Sequence, residues 1–216
     1  AYMVIWTTTP WTIPANVAVA LNPDFDYAWV EYNGEVLIMA ADLVDKVAEE
    51  CGVEFGPVLG TTKGRAFEYA ECEHPFPEYD HRKSLVVLAD YVDKESGSGC
   101  VHTAPGHGDV DYLTGLKYKL PILCPVDQKG CFTAEAGELL QGKFVFDSNG
   151  LVIKHLAEQN VLLGKKNIHH QYAHCWRCKN PIIFRASEQW FASVDGFRDE
   201  ALKAIAEDVQ WIPSWG

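Results

Sequence analysis

No apolar run in this sequence is long enough to cross a bilayer. The longest, such as residues 85–89, fall far short of the roughly 20 residues that a membrane-spanning helix needs. No secretory leader is expected. Residues 1–6 have no basic start, and residues 7–12 are polar and broken by Pro10. Nor is there an excess of basic charge: 18 Lys and Arg face 30 Asp and Glu, for a formal net charge of −12. Proteins that grip long stretches of nucleic acid usually show a basic face. Any nucleic-acid contact is therefore expected to be confined to a small pocket, or to be carried by another part of a larger protein. The sequence contains no internal repeat and no low-complexity tract. Polar tails are absent as well. The chain starts inside Tyr2-Met3-Val4-Ile5-Trp6 and stops at Trp211-Ile212-Pro213-Ser214-Trp215-Gly216, so we expect a segment of a longer polypeptide.

What is present suits a folded chain. With 216 residues, 48% of them hydrophobic, it can build one large domain or a main domain with an appendage. Its seven cysteines are Cys51, Cys72, Cys100, Cys124, Cys131, Cys175 and Cys178. An odd count without a leader points to a reduced cytoplasmic chain rather than a disulfide scaffold.

Short aromatic and β-branched runs predict strands at residues 4–7, 17–21 and 27–32. Asn33-Gly34 predicts a hairpin turn into a strand at 35–39. Residues 41–51 place Leu43, Val44, Val47, Ala48 and Cys51 on one face and predict a helix stopped by Gly52. From 58 to 104 the pattern is again β, with the best buried strands at 84–89 and 99–103. Helices are predicted at 109–118, at 151–159 with Gly164 as an end, and at 197–206. Another strand is predicted at 120–125. Strands dominate the first 125 residues without regular strand–helix alternation. The expected class is α+β and β-rich, a β-barrel core with peripheral helices. The barrel is assigned to residues 1–165, and residues 166–216 are a separate return segment.

Three stretches carry chemistry. The first is Trp6-Thr7-Thr8-Thr9-Pro10-Trp11-Thr12. Its hydroxyls and free backbone N–H groups suit an oxygen-rich ligand; the alternative is a strand end built from β-favouring threonines. The second runs from Gly97 to Tyr112 and holds His102, Gly106, His107, Asp109 and Asp111. Glycine admits close backbone approach, a helix start offers N–H donors, Asp111 suits an ammonium group, and the histidines suit proton exchange. The alternatives are aspartates that merely complement a helix dipole and a satisfied buried His102. The glycines do not complete a dinucleotide fingerprint. The third is His169-His170-Gln171-Tyr172-Ala173-His174-Cys175-Trp176-Arg177-Cys178. Cys175 and Cys178 have the spacing of half a zinc site, which His170 or His174 would extend; no second Cys-x-x-Cys exists.

At these residues the sequence resembles a known family. The threonine stretch is similar to the threonine-rich peptide of the editing domain inserted in isoleucyl-tRNA synthetases. The Gly97 to Tyr112 run resembles that domain's second motif. Cys175-Trp-Arg-Cys178, with Ile182-Ile-Phe-Arg185 and Gln189-Trp-Phe191, is similar to the return into the synthetase body. Valyl and leucyl relatives typically carry Thr-Thr-Arg-Pro where Pro10 here follows Thr9 directly. The resemblance spans essentially the whole chain. It implies a β-barrel domain that hydrolyses valine from the tRNA for isoleucine, an aminoacyl-tRNA hydrolase within the ligase. The implied partners are the 3′-terminal adenosine, the valine moiety and the rest of the parent, with the domain a monomer away from membranes. Catalysis is implied for Thr8, Thr9 and Asp111. Substrate contacts are implied for Trp6, Thr7, Thr8, Thr9, His102, Gly106, His107 and Asp111. Asp111 would anchor the ammonium group and water would attack. The ligase signatures His-Ile-Gly-His and Lys-Met-Ser-Lys-Ser are absent. No cofactor is expected, except zinc at Cys175 and Cys178 with further ligands from the parent. Two other readings remain: a zinc-binding structural or tRNA-interaction module, and a metallohydrolase built on His102, His107 and Asp111.

Overall fold

The computed structural model describes residues 1–79, 81–169 and 171–215. Among the described residues, eight strands form two four-stranded sheets. They are β1 (Tyr2–Met3), β2 (Ala18–Leu21), β3 (Asp26–Tyr32), β4 (Glu35–Ala40), β5 (Val58–Lys63), β6 (Glu71–Glu73), β7 (Lys83–Leu88) and β8 (Cys100–Thr103). One sheet has the order β1-β4-β3-β5, the other β6-β7-β2-β8. The helices are α1 (Val44–Cys51), α2 (Asp109–Tyr118), α3 (Gly137–Leu140), α4 (Asn149–Glu158) and α5 (Arg198–Lys203).

The β3–β4 hairpin turns at Asn33 and Gly34, whose φ angles of 53° and 82° are the left-handed pair that a two-residue turn requires. Val47 of α1 shares a core with Leu37 and Ile38 of β4, and Val44 and Cys51 pack against that core. Strand β2 lies between β7, parallel to it, and β8, antiparallel. Its four residues, Ala-Val-Ala-Leu, are all buried, as expected of a strand covered on both faces. Because side chains alternate along a strand, Val19 and Leu21 join the core with β4, whereas Ala18 and Ala20 face Val87, Ala89 and Val92. A further core forms where Trp11 and Ile13 meet Phe76, Val126, Leu140, Val152 and Leu156.

Several expectations change. The strands do not close a barrel: among the described residues only an isolated bridge, Trp6 to Val101, links the segment after β1 to β8. Residues 120–125 form no strand, since Pro121 and Pro125 cannot donate to a ladder. Residues 4–7 are not a strand either; β1 ends at Met3. Helix α4 stops at Glu158, well before Gly164. The predicted helix at 197–206 begins as α5 and widens into a π-helical turn, Ala204–Asp208. By contrast, α2 occupies the predicted residues, and α1, preceded by a 3-10 turn, ends before Gly52.

Contacts divide the chain into Ala1–Ala186 and Ser187–Gly216. The first unit holds both sheets and α1 to α4; the second holds α5 and the π-helical turn. No described helix is long and apolar enough to cross a membrane.

Candidate functional site

The bridge from Trp6 to Val101 lays the threonine run beside β8, so the two motifs that the sequence separates by about ninety residues become neighbours. Thr7, Thr8 and Thr9 belong to no strand. The Thr9 N–H donates to Thr7 Oγ1 at 3.0 Å, and the Thr8 and Thr9 hydroxyls lie 3.4 Å apart. Pro10 then opens a 3-10 turn, Pro10–Ala15. Its ring presets the backbone angle at that position and it has no N–H to leave orphaned.

That turn is held by side chains from four places. The Trp11 N–H donates to Asn149 Oδ1 at 3.0 Å. His74 accepts the Phe76 N–H on Nδ1, so Nε2 carries the proton and faces the Ile13 carbonyl at 3.1 Å. Burial first, and the neighbouring Arg82 charge next, push the His74 pKa down to about 3. Arg82 donates to the Pro14 carbonyl at 2.7 Å while its guanidinium lies 4.1 Å over the Tyr79 ring. The Thr12 hydroxyl donates to the Thr9 carbonyl at 2.9 Å.

The fourth support is His102 of β8. Its Nε2 is 3.0 Å from Thr12 Oγ1 and its Nδ1 is 2.7 Å from Asn16 Nδ2. Asn16 Nδ2 also donates to the Ala18 carbonyl, and Ser84 Oγ donates to Asn16 Oδ1. The amide orientation is thereby fixed, and its N–H faces the imidazole. Nδ1 must accept, so Nε2 carries the single proton and donates to Thr12. Burial lowers the His102 pKa to about 4, with His107 adding to the effect. A neutral, doubly bonded imidazole is a rigid prop rather than a proton shuttle.

Beyond β8 the chain turns through Pro105 and Gly106 into α2. A β-carbon on Gly106 would lie 1.9 Å from the Leu123 carbonyl oxygen, so only glycine fits this crossing. The His107 ring meets Trp11 edge-on at 5.0 Å, and its Nδ1 lies 3.1 Å from the Phe184 carbonyl. Burial depresses the His107 pKa. Asp111, in the first turn of α2, accepts the Ala104 N–H on Oδ2 at 2.8 Å and so closes the loop. Burial raises its pKa above the usual carboxylate value, the Ala104 bond opposes this, and Asp109 adds to the rise. Its negative charge also raises the pKa of Tyr91, whose largest shift comes from burial.

Two clefts meet at the threonine run. A polar cleft of about 290 Å³ is lined by Trp6, Thr7, Thr8, Tyr91, Asp93 and His102, among others. An aromatic cleft of about 330 Å³ is lined by Thr8, Thr9, Trp11, Phe146, Asn149, Tyr172, His174 and Pro181. Thr8 borders both. The structure therefore gathers Trp6, Thr7, Thr8, Thr9 and His102 around one region, with His107 behind Trp11. Gly106 serves packing. Asn16, Ser84, Phe146 and Asn149 were not singled out from sequence, because nothing near them in the chain marks them; they arrive from distant segments.

Cys175 and Cys178 flank a single turn. The Cys175 N–H donates to the Asn180 carbonyl at 2.8 Å, and Lys179 takes a left-handed φ of 62°. Hydrogen bonds from the backbone N–H groups of Cys178 and Arg177 lower the Cys175 thiol pKa, which suits a thiolate ligand. Among the described residues no group of three metal-ligating side chains gathers anywhere, including around His102, His107 and Asp111. His170 lies outside the described residues.

No family model matches the chain. Curated relatives do. The isoleucine–tRNA ligase of Desulforamulus reducens is 50% identical over 216 residues, covering 100% of this chain and 23% of that protein. The isoleucine–tRNA ligase of Caldicellulosiruptor saccharolyticus is 52% identical over 215 residues, again 100% of this chain and 23% of its own length. The chain thus spans less than a quarter of these relatives. Among solved structures, GlLeuRS-CP1 superposes with a TM-score of 0.61 at 15% identity, covering 76% of this chain and 84% of that one, a likeness of fold alone. Matched from end to end at about half identity, this chain is similar to one stretch of isoleucine–tRNA ligases that makes up less than a quarter of their length.

Proposed function

We propose that this segment is the editing module of an isoleucine–tRNA ligase and hydrolyses the ester that joins valine to the tRNA for isoleucine. The observation that carries the reading is the pinned threonine run between two clefts. An aminoacylated 3′-terminal adenosine has two parts, an amino acid and a nucleoside, joined at the ester to be broken. Thr8, on the rim of both clefts, lies where such a joint would sit. The side chains and backbone of Thr7, Thr8 and Thr9 surround the ester. Asp111 holds the α-ammonium group as an anchor, and water is the nucleophile. His102, neutral and fixed, shapes the site through Thr12 and does not take the proton.

The need for a second site follows from size. One methylene separates valine from isoleucine, which gives roughly 1–3 kcal/mol of discrimination, a limit already known for this pair of amino acids. A second pocket that accepts valine and excludes isoleucine removes the error. The net charge of −12 accords with a grip on the terminal adenosine alone, while the parent supplies the basic contacts to tRNA. The isolated segment is then expected to bind tRNA weakly; submicromolar affinity at physiological salt would contradict the reading. Its direct test is deacylation of valyl-tRNA and isoleucyl-tRNA by the parent synthetase carrying this segment. Preferential loss of valine is expected, and equal or no hydrolysis of either would overturn the assignment.

A further inference from the structure

The aromatic cleft has one wall that the threonine run does not supply. Asn149, at the start of α4, lines it with Trp11, Phe146 and Tyr172. Its Oδ1 is committed to the Trp11 N–H at 3.0 Å. That bond settles the amide orientation, because the opposite orientation would set the Nδ2 hydrogens against an N–H donor. Nδ2 therefore keeps both of its hydrogens, and it has no partner among the described residues. The group is half-buried, and it is an amide donor on the wall of a cleft whose other large members are aromatic. Such a donor is well placed to fix a ligand in an otherwise apolar pocket.

We propose that Asn149 is a ligand-binding residue whose Nδ2 donates a hydrogen bond to a neutral acceptor of the bound aminoacyl-nucleoside, an ester carbonyl or a base nitrogen. This inference rests on the editing reading. Asn149 then has two separable tasks: Oδ1 props Trp11 and Nδ2 holds the ligand. Replacement by aspartate separates them, since the carboxylate still accepts from Trp11 but has no N–H to offer. A carboxylate in the first turn of a helix is also electrostatically favoured there.

The test compares wild type, Asn149→Asp and Asn149→Ala in the 216-residue chain. Thermal midpoints are measured beside calorimetric binding of a non-hydrolysable valyl-adenosine analogue. The expected result is an Asn149→Asp midpoint at or above wild type with affinity reduced five- to tenfold, and an Asn149→Ala variant impaired in both. Wild-type affinity in Asn149→Asp would overturn the donor role and leave the editing reading standing. A midpoint loss in Asn149→Asp equal to that of Asn149→Ala would reduce Asn149 to a prop and likewise overturn it. Failure of the wild type to bind any analogue would overturn both.

Discussion

Asn16 Nδ2 donates to His102 Nδ1 at 2.7 Å, and this contact decides what the histidine beside the threonine run can do. Protonation of Nδ1 would set two N–H groups against each other. The contact therefore acts in the same direction as burial, which already takes the His102 pKa down to about 4. Asn16→Asp should reverse it: the carboxylate stabilises an imidazolium, and the His102 pKa should move up past its usual value of about 6.5. The same change faces an oxygen toward the Ala18 carbonyl and should cost about 1–3 kcal/mol of stability. Histidine titration by NMR with chemical denaturation checks both. A His102 that titrates as in the wild type would refute the tautomer assignment.

Stability should fall as the solution is acidified below neutrality. His74 and His102 have folded pKa values of about 3 and about 4, below their common unfolded value of 6.5. Between about pH 6.5 and 4 the unfolded chain binds protons that the folded chain refuses, so the stability present above pH 6.5 is progressively lost. Asp111, whose folded pKa is raised, works in the opposite sense: its burial cost is relieved as pH falls through that value. The histidines should dominate, lowering the thermal midpoint by roughly 5–10 °C from pH 7 to pH 4.5. His74→Gln should flatten part of that slope, and a profile unchanged by this substitution would argue that His74 is not buried neutral.

The anchor role of Asp111 makes a selective prediction. Asn at this position can still accept from the Ala104 N–H and relieves the cost of a buried carboxylate. Asp111→Asn should therefore fold with wild-type stability or better. It should bind a valyl-adenosine analogue at least tenfold more weakly, while an analogue lacking the α-amino group is held equally by both proteins. Equal losses for the two analogues would show a general defect and remove the ammonium anchor.

Gly106 is a packing position before it is anything else. With its β-carbon 1.9 Å from a backbone oxygen, Gly106→Ala should destabilise the chain by about 3 kcal/mol or more, read as a lower denaturation midpoint. Gly142→Ala is a fitting contrast. It has open space around its β-carbon but a left-handed φ of 77°, and should cost only about 1 kcal/mol.

Much of this was legible in the chain. The Asn33-Gly34 hairpin, α1 ahead of Gly52 and α2 at 109–118 follow from turn chemistry and periodicity, which are local. Thr7, Thr8, Thr9, His102 and Asp111 sit in two dense motifs of the sequence, and the fold lays those motifs side by side. The barrel could not be checked from sequence, because strand pairing depends on contacts between distant segments; the pairings give two open sheets instead. The strand expected at 120–125 shows apolar composition outvoted by Pro121 and Pro125. Asn16, Ser84 and Asn149 carry no signal of their own. Each matters only because folding sets it against a histidine, an asparagine or a tryptophan far away in sequence.

The central claim is tested most directly by calorimetric binding of two non-hydrolysable adenosine analogues, one carrying valine and one isoleucine. Our account predicts that valine binds, that affinity depends on Thr8 and Asp111, and that isoleucine binds at least tenfold more weakly. Equal binding of the two, or valine binding indifferent to both residues, would contradict it.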